Sequence, residues 1–98
     1  MFIKVDVEGW EPEVIEGAAG VISNFRPILQ LEISRSPSSS ERWSKILGII
    51  EESYEEVEVF GSRRGPFTSN DVRGVIQHLS LDQKLHNIVL WPKGSDDL

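Results

Sequence analysis

The segment "FIKVDVEGWEPEV", Phe2 to Val14, constrains the fold more than any other, because its hydrophobic period changes within a few residues. Ile3, Val5 and Val7 alternate with Phe2, Lys4 and Asp6, which predicts a strand over 2–7. Gly9 permits a sharp exit. Pro12 suits a first helical turn, where its missing N–H has no intrahelical partner to lose. Glu11 and Glu13 complement the positive end of the helix dipole, and Trp10 with Val14 has the spacing of a hydrophobic staple. Val14, Ile15, Ala18, Val21, Ile22 and Phe25 then recur at helical spacing and predict one apolar face, until Pro27 stops the helix.

The rest of the chain repeats this alternation. "ILQLEI", 28–33, predicts a buried strand that carries an acid, Glu32, near its end. "SRSPSSS", 34–40, predicts a loop, with Ser38 or Ser40 capping a helix whose stripe is Trp43, Ile46, Leu47, Ile50 and Tyr54. "EEVEVF", 55–60, alternates as a third strand, and 61–71 reads as a Gly-, Pro- and Ser-rich loop. Val72, Val75, Ile76 and Leu79 suggest a short helix interrupted by Gly74. "NIVLW", 87–91, is the last strand, closed by Pro92, and 94–98 reads as a tail. The order is β-α-β-α-β-(α)-β. Right-handed crossovers put the first two helices on one face of the sheet, and ligands of such sheets bind outside the carboxyl ends of the parallel strands. Asp6, Glu8 and Glu32 fall there, and the topology gathers Trp10, Ser34 to Ser40, Arg63, Arg64 and His86 along the same rim.

Composition narrows the function. The chain has 98 residues, enough for one small domain. A net charge of -6 disfavours a nucleic-acid surface, which needs excess Lys and Arg. The absence of cysteine removes disulfides, thiolate metal sites and a Cys nucleophile. No apolar run approaches the ~20 residues that span a bilayer, and Lys4 and Asp6 interrupt any signal-peptide core, so a cytoplasmic location is the expectation.

"FIKVDVEGWEPEVIEGA" resembles the signature of FkbM-type methyltransferases: an apolar strand, D-x-E-G, an aromatic residue, E-x-E-V and a small-residue patch. "PILQLEIS" and "HNIVLWPK" resemble later strands of that family. The resemblance implies the C-terminal half of a Rossmann-like class I fold over residues 1–93: α/β, a mostly parallel sheet with an antiparallel last strand, and helices mainly on one face. It also implies an S-adenosylmethionine-dependent O-methyltransferase acting on a hydroxyl of a sugar or natural-product-like acceptor. Such folds build the donor site on a glycine-rich loop after their first strand. The 98 residues contain no such segment, "GAAG" at 17–20 being helical, so the expectation is that they bind the donor weakly and are inactive alone.

By the same resemblance Asp6 and Glu8 are the catalytic candidates, as general base or anchor, with Asp6 also touching the cofactor. Glu32 would face the acceptor, or pair with Arg35. Trp10 reads as a staple first and a substrate platform second. Arg63 and Arg64 read as a solvated loop first and an anion or sugar clamp second. His86 reads as structural. No metal is required, although Asp6, Glu8 and Glu32 would equally suit Mg²⁺ or Ca²⁺. An acidic-strand NTPase fails for want of G-x-x-x-x-G-K-[ST], and a glycosidase barrel for want of length. The non-enzyme alternative is a half-domain kept as an interaction or structural module. In either case the open edge of strand 2–7 and an apolar uncovered face predict a homodimer, or a swapped or higher assembly, through the first strand.

Overall fold

The computed structural model describes residues 2–6, 10–33, 39–60, 66–81 and 86–94, with the side chain of Ser39 left aside. The elements are β1 (Phe2–Lys4), α1 (Glu11–Gly17), α2 (Ala19–Phe25), β2 (Ile28–Ile33), α3 (Ser39–Ser44), α4 (Leu47–Ser53), β3 (Tyr54–Phe60), β4 (Phe67–Ser69), α5 (Val72–Leu81) and β5 (His86–Pro92).

The strands form one sheet in the order β1-β2-β5-β3-β4. This corrects the expectation of a mostly parallel sheet. β1, β2 and β3 do run in the same direction, but β5 inserts between β2 and β3 and runs against both. Only β1 and β2 pair in parallel, and β4 adds a further antiparallel pairing at the far edge. The last strand is antiparallel, as expected. The strand β4 itself falls inside a stretch that reads as loop.

Each predicted crossover helix is two short helices. The first breaks at Ala18, between Gly17 and Gly20, although the Ala18 N–H still bonds the Val14 carbonyl at 2.9 Å. It ends at Arg26, whose φ of 43° is left-handed, followed by Pro27. The second breaks at Ile46, just after Ser44, whose hydroxyl turns back onto the Ser40 carbonyl at 2.7 Å. A hydroxyl used in this way weakens and bends helical turns.

The strands alternate cleanly. Leu29, Leu31, Ile33, Val57, Val59, Ile88 and Leu90 form one buried face, joined by Ile15, Ile22, Trp43, Ile46, Leu47, Ile50, Ile76 and Leu79 from the helices. All the helices therefore share one core on one side of the sheet. Ile3 and Val5 pack against that core, which corrects the expectation that they border the uncovered face; of the residues expected there, Phe2 is the one that does. The uncovered face is not an apolar one either. It carries Lys4, Gln30, Glu32, Glu56, Glu58, Thr68 and Asn87 among Phe2, Val89 and Trp91, and the Trp91 indole N–H donates to Glu58 at 3.2 Å. Antiparallel sheets tolerate such a face in water.

Tyr54 begins β3 rather than ending a helix. Its buried hydroxyl donates to the Pro27 carbonyl, and burial raises its pKa far above the ordinary phenol value. This bond ties β3 to the turn before β2.

Candidate active site

β1 and β2 are in register as Phe2 with Ile28, Ile3 with Leu29 and Lys4 with Gln30. The Val5 N–H continues the pairing onto the Gln30 carbonyl at 2.8 Å. Side chains alternate along both strands, so Lys4, Asp6, Gln30 and Glu32 point to the same, helix-free face. Asp6 and Glu32 thus come together at the carboxyl ends of the parallel pair. β5 then brings Asn87 opposite Glu32. Lys4, Asp6, Gln30, Glu32 and Asn87, with Val5 and Leu31, line a cleft of about 90 Å³. Asp6 is exposed and Glu32 half-buried.

The chemistry available is that of two carboxylates, two amides and one ammonium on a small concave patch. Carboxylates accept hydrogen bonds from hydroxyls and can take their proton, while the amides both donate and accept. A cleft of this volume holds a few ligand atoms, against the roughly 300–1,000 Å³ of a complete small-molecule pocket. This cleft therefore fits one end of a ligand and is too small for a whole nucleoside donor.

Trp10 is placed differently from the staple reading. It is 65% exposed, Val14 is exposed beside it, and the Arg42 guanidinium lies 5.9 Å from the centre of its ring. Arg42 also pairs with Glu13, its Nε donating to Oε2 at 3.1 Å. The hydrogen bond from Arg42 holds Glu13 below its ordinary carboxylate value, and Glu13 raises Arg42 in return. Glu11, which reads from sequence only as a dipole partner, is fully buried at the start of α1 with Arg42 nearby. Glu8, Arg63 and Arg64 lie outside the described residues. His86 is buried opposite Ile33, at the rim but on the core side of the sheet.

Asn87 and Arg42 are the contributions that sequence reasoning missed. Asn87 precedes an apolar strand and joins the acids only because β5 inserts beside β2. Arg42 meets Glu13 from 29 residues away. Among the described residues no three His, Cys, Asp or Glu side chains are grouped to hold a metal ion, and no helix is long and apolar enough to cross a membrane. A larger cavity of about 350 Å³ lies at the other end of β3, lined by Glu51, Asn70, Asp71, Arg73 and Lys93. Three of its charges are engaged in structural roles: Arg73 pairs with Glu51, and Asp71 caps α5.

No curated protein and no solved structure gives a significant match to the chain. The family model of the methyltransferase FkbM domain matches residues 1–82. That span contains the D-x-E-G strand end, the parallel pair that aligns Asp6 with Glu32, and the helices that support them. The chain belongs to the FkbM methyltransferase family.

Proposed function

We propose that these residues form the acceptor side of an S-adenosylmethionine-dependent O-methyltransferase, acting on a hydroxyl of a sugar-like or natural-product-like molecule. The observation that carries this reading is the convergence of Asp6 and Glu32 in one cleft at the carboxyl ends of β1 and β2, within a span matched by the methyltransferase family. S-adenosylmethionine, when bound, supplies an electrophilic methyl group on a sulfonium.

Methyl transfer to oxygen requires a hydroxyl held in line with that methyl and relieved of its proton as the new bond forms. Asp6 is the proton acceptor in this reading, being exposed at the strand end and so able to reach solvent with the proton. Glu32 and Asn87 hold the acceptor by neighbouring polar groups. Lys4 stands behind the two acids and balances part of their charge. Glu8, the second acid of the D-x-E-G signature, assists in anchoring in this reading.

The test is a chimera in which these 98 residues replace the matching part of a complete FkbM domain that supplies the glycine-rich donor loop. Asp6→Asn in that chimera should lower turnover on the order of 10²–10⁴-fold, the contribution of a positioned proton acceptor, while its melting temperature stays near that of the parent. Turnover within a few-fold of the parent would remove Asp6 from the role of base.

A further inference from the structure

Trp10 lies at the same end of the sheet as the carboxylate cleft. It follows Asp6 by four residues, so the two Cα atoms are no more than about 14 Å apart. It opens α1, which packs on α3 and β2. Its spacing to Val14 suits a hydrophobic staple, yet both stay exposed, Trp10 at 65%. The ring is nevertheless held in place. The Arg42 guanidinium lies over it, and that guanidinium is itself fixed, donating through Nε and a terminal nitrogen to the two carboxylate oxygens of Glu13. Glu11, fully buried at the next position, also attracts Arg42. With Arg42 over one face, the exposure of the ring belongs to its other face and its edge. Phe2 and Phe25, the other exposed aromatic residues between β1 and β2, stand at the opposite end of the strands.

We propose that Trp10 is a specificity-determining platform for a second sugar ring. The acceptor is then at least a disaccharide: one ring places a hydroxyl at Asp6 and Glu32, and its neighbour lays its C–H face on the indole. Two observations converge on this. The cleft offers carboxylates and amides, which bond hydroxyls, but its volume of about 90 Å³ holds only a few ligand atoms. Much of the recognition therefore lies outside it. The nearby indole offers the complementary chemistry, a flat apolar surface already ordered by Arg42, so that little freedom is lost when a ligand stacks on it. A pyranose carries both kinds of surface, hydroxyls around its edge and C–H groups on its face. The separation of Trp10 from Asp6 is one that a chain of two or three such rings spans. The placing of the first ring rests on the methyltransferase reading, whereas the stacking of the second does not.

Nuclear magnetic resonance titration of the ¹⁵N-labelled 98-residue chain tests it. The probes are cellobiose, maltose and lactose, each compared with methyl glucoside, and the signals are the Trp10 indole N–H and the Asn87 side-chain amide. At least one disaccharide should shift both signals together and bind about tenfold or more tightly than methyl glucoside. Trp10→Ala should remove that gain, read at Asn87, and Trp10→Tyr should keep most of it, with circular dichroism showing both variants folded. The platform is overturned if no disaccharide shifts the Trp10 signal, if one ring binds as well as two, or if the gain survives Trp10→Ala. None of these readings involves methyl transfer. A failed platform leaves the assignment of Asp6 untouched, and an Asp6→Asn chimera with parental turnover leaves the platform standing.

Discussion

The α1–α2 and α3–α4 crossovers do the same job in the fold and bury very different amounts of themselves. Each joins strands that run in the same direction, and each is a pair of short helices with a tryptophan near its start. In α3–α4, Trp43, Ile46, Leu47 and Ile50 are each no more than 2% exposed. Among the large apolar residues of α1–α2 only Ile15 and Ile22 reach that level, and Trp10, Val14, Val21 and Phe25 stay in solvent. The cause is position in the helix layer. α3–α4 lies between α1–α2 and α5 and is packed on both flanks, while α1–α2 is outermost. An apolar stripe tells which residues can be buried, and the neighbours decide how wide a part of it is. The less buried crossover is also the one that follows the strand carrying Asp6 in the carboxylate cleft.

Alanine at the two tryptophans tests this difference most strongly. Trp43→Ala should cost about 3–5 kcal/mol, the usual range for deleting a fully buried aromatic, and bring the chain close to unfolding. Trp10→Ala should cost under about 1 kcal/mol, since it removes an exposed ring and one surface cation–π contact. Urea unfolding of both variants decides the matter. Comparable losses would mean that the exposed tryptophan is packed in solution and that the two crossovers are equivalent.

Much of this architecture is readable from sequence, and the unreadable parts have a common cause. Strand and helix periods identify β1, β2, β3, β5 and the helices, because each period is a local property. The family signature points to Asp6 and strand-end position to Glu32, and the two line one cleft. Sheet order is not local: nothing in "NIVLW" says that it will separate β2 from β3, and the arrival of Asn87 beside Glu32 depends on that insertion. β4 is three residues within a turn-rich stretch and gains its strand character only from β3. The breaks at Ala18 and Ile46 leave the apolar stripe uninterrupted, so its period conceals them.

α5 sharpens the comparison, because it too is an outer element of the layer and yet buries Val72, Ile76 and Leu79. It differs from α1 and α2 in having a side-chain cap. The Asp71 carboxylate accepts the Gly74 N–H at 3.0 Å, whereas neither Trp10 nor Ala18 caps its helix through a side chain. Asp71→Ala should therefore cost about 1 kcal/mol. Gly74 looks like a defect in the helix, but a Cβ there would lie 2.2 Å from the Asp71 carboxylate. Gly74→Ala in the parent gains up to about 1 kcal/mol of helix propensity and loses a similar amount of capping, for little net change. In the Asp71→Ala background the same substitution should stabilise by most of that amount. Thermal melts of the four-member cycle measure the coupling, and additive effects would show that the cap is not used.

The smallest expected effect concerns the ion pair that fastens the loose crossover to the tight one. Arg42 of α3 holds Glu13 of α1, lowering the Glu13 carboxyl from its ordinary value of 4.5. A carboxyl lowered on folding contributes stability at pH values above its unfolded value, and the contribution fades as pH falls through the folded value. With Glu13 43% exposed at its side chain, solvent screening keeps the gain to about 0.5 kcal/mol or less. Glu13→Gln should thus be slightly less stable than the parent at pH 7 and equal to it well below pH 4.5, with the difference shrinking in high salt. The matching shift on Arg42 is upward, away from this range, and has no influence in it. Amide hydrogen exchange should place the loss in α1 and α2, because the pair anchors that crossover and not the core beneath α3–α4. If the parent and Glu13→Gln differ by the same amount at pH 3.5 and pH 7, the tether is not electrostatic, and packing alone holds the outer crossover to its neighbour.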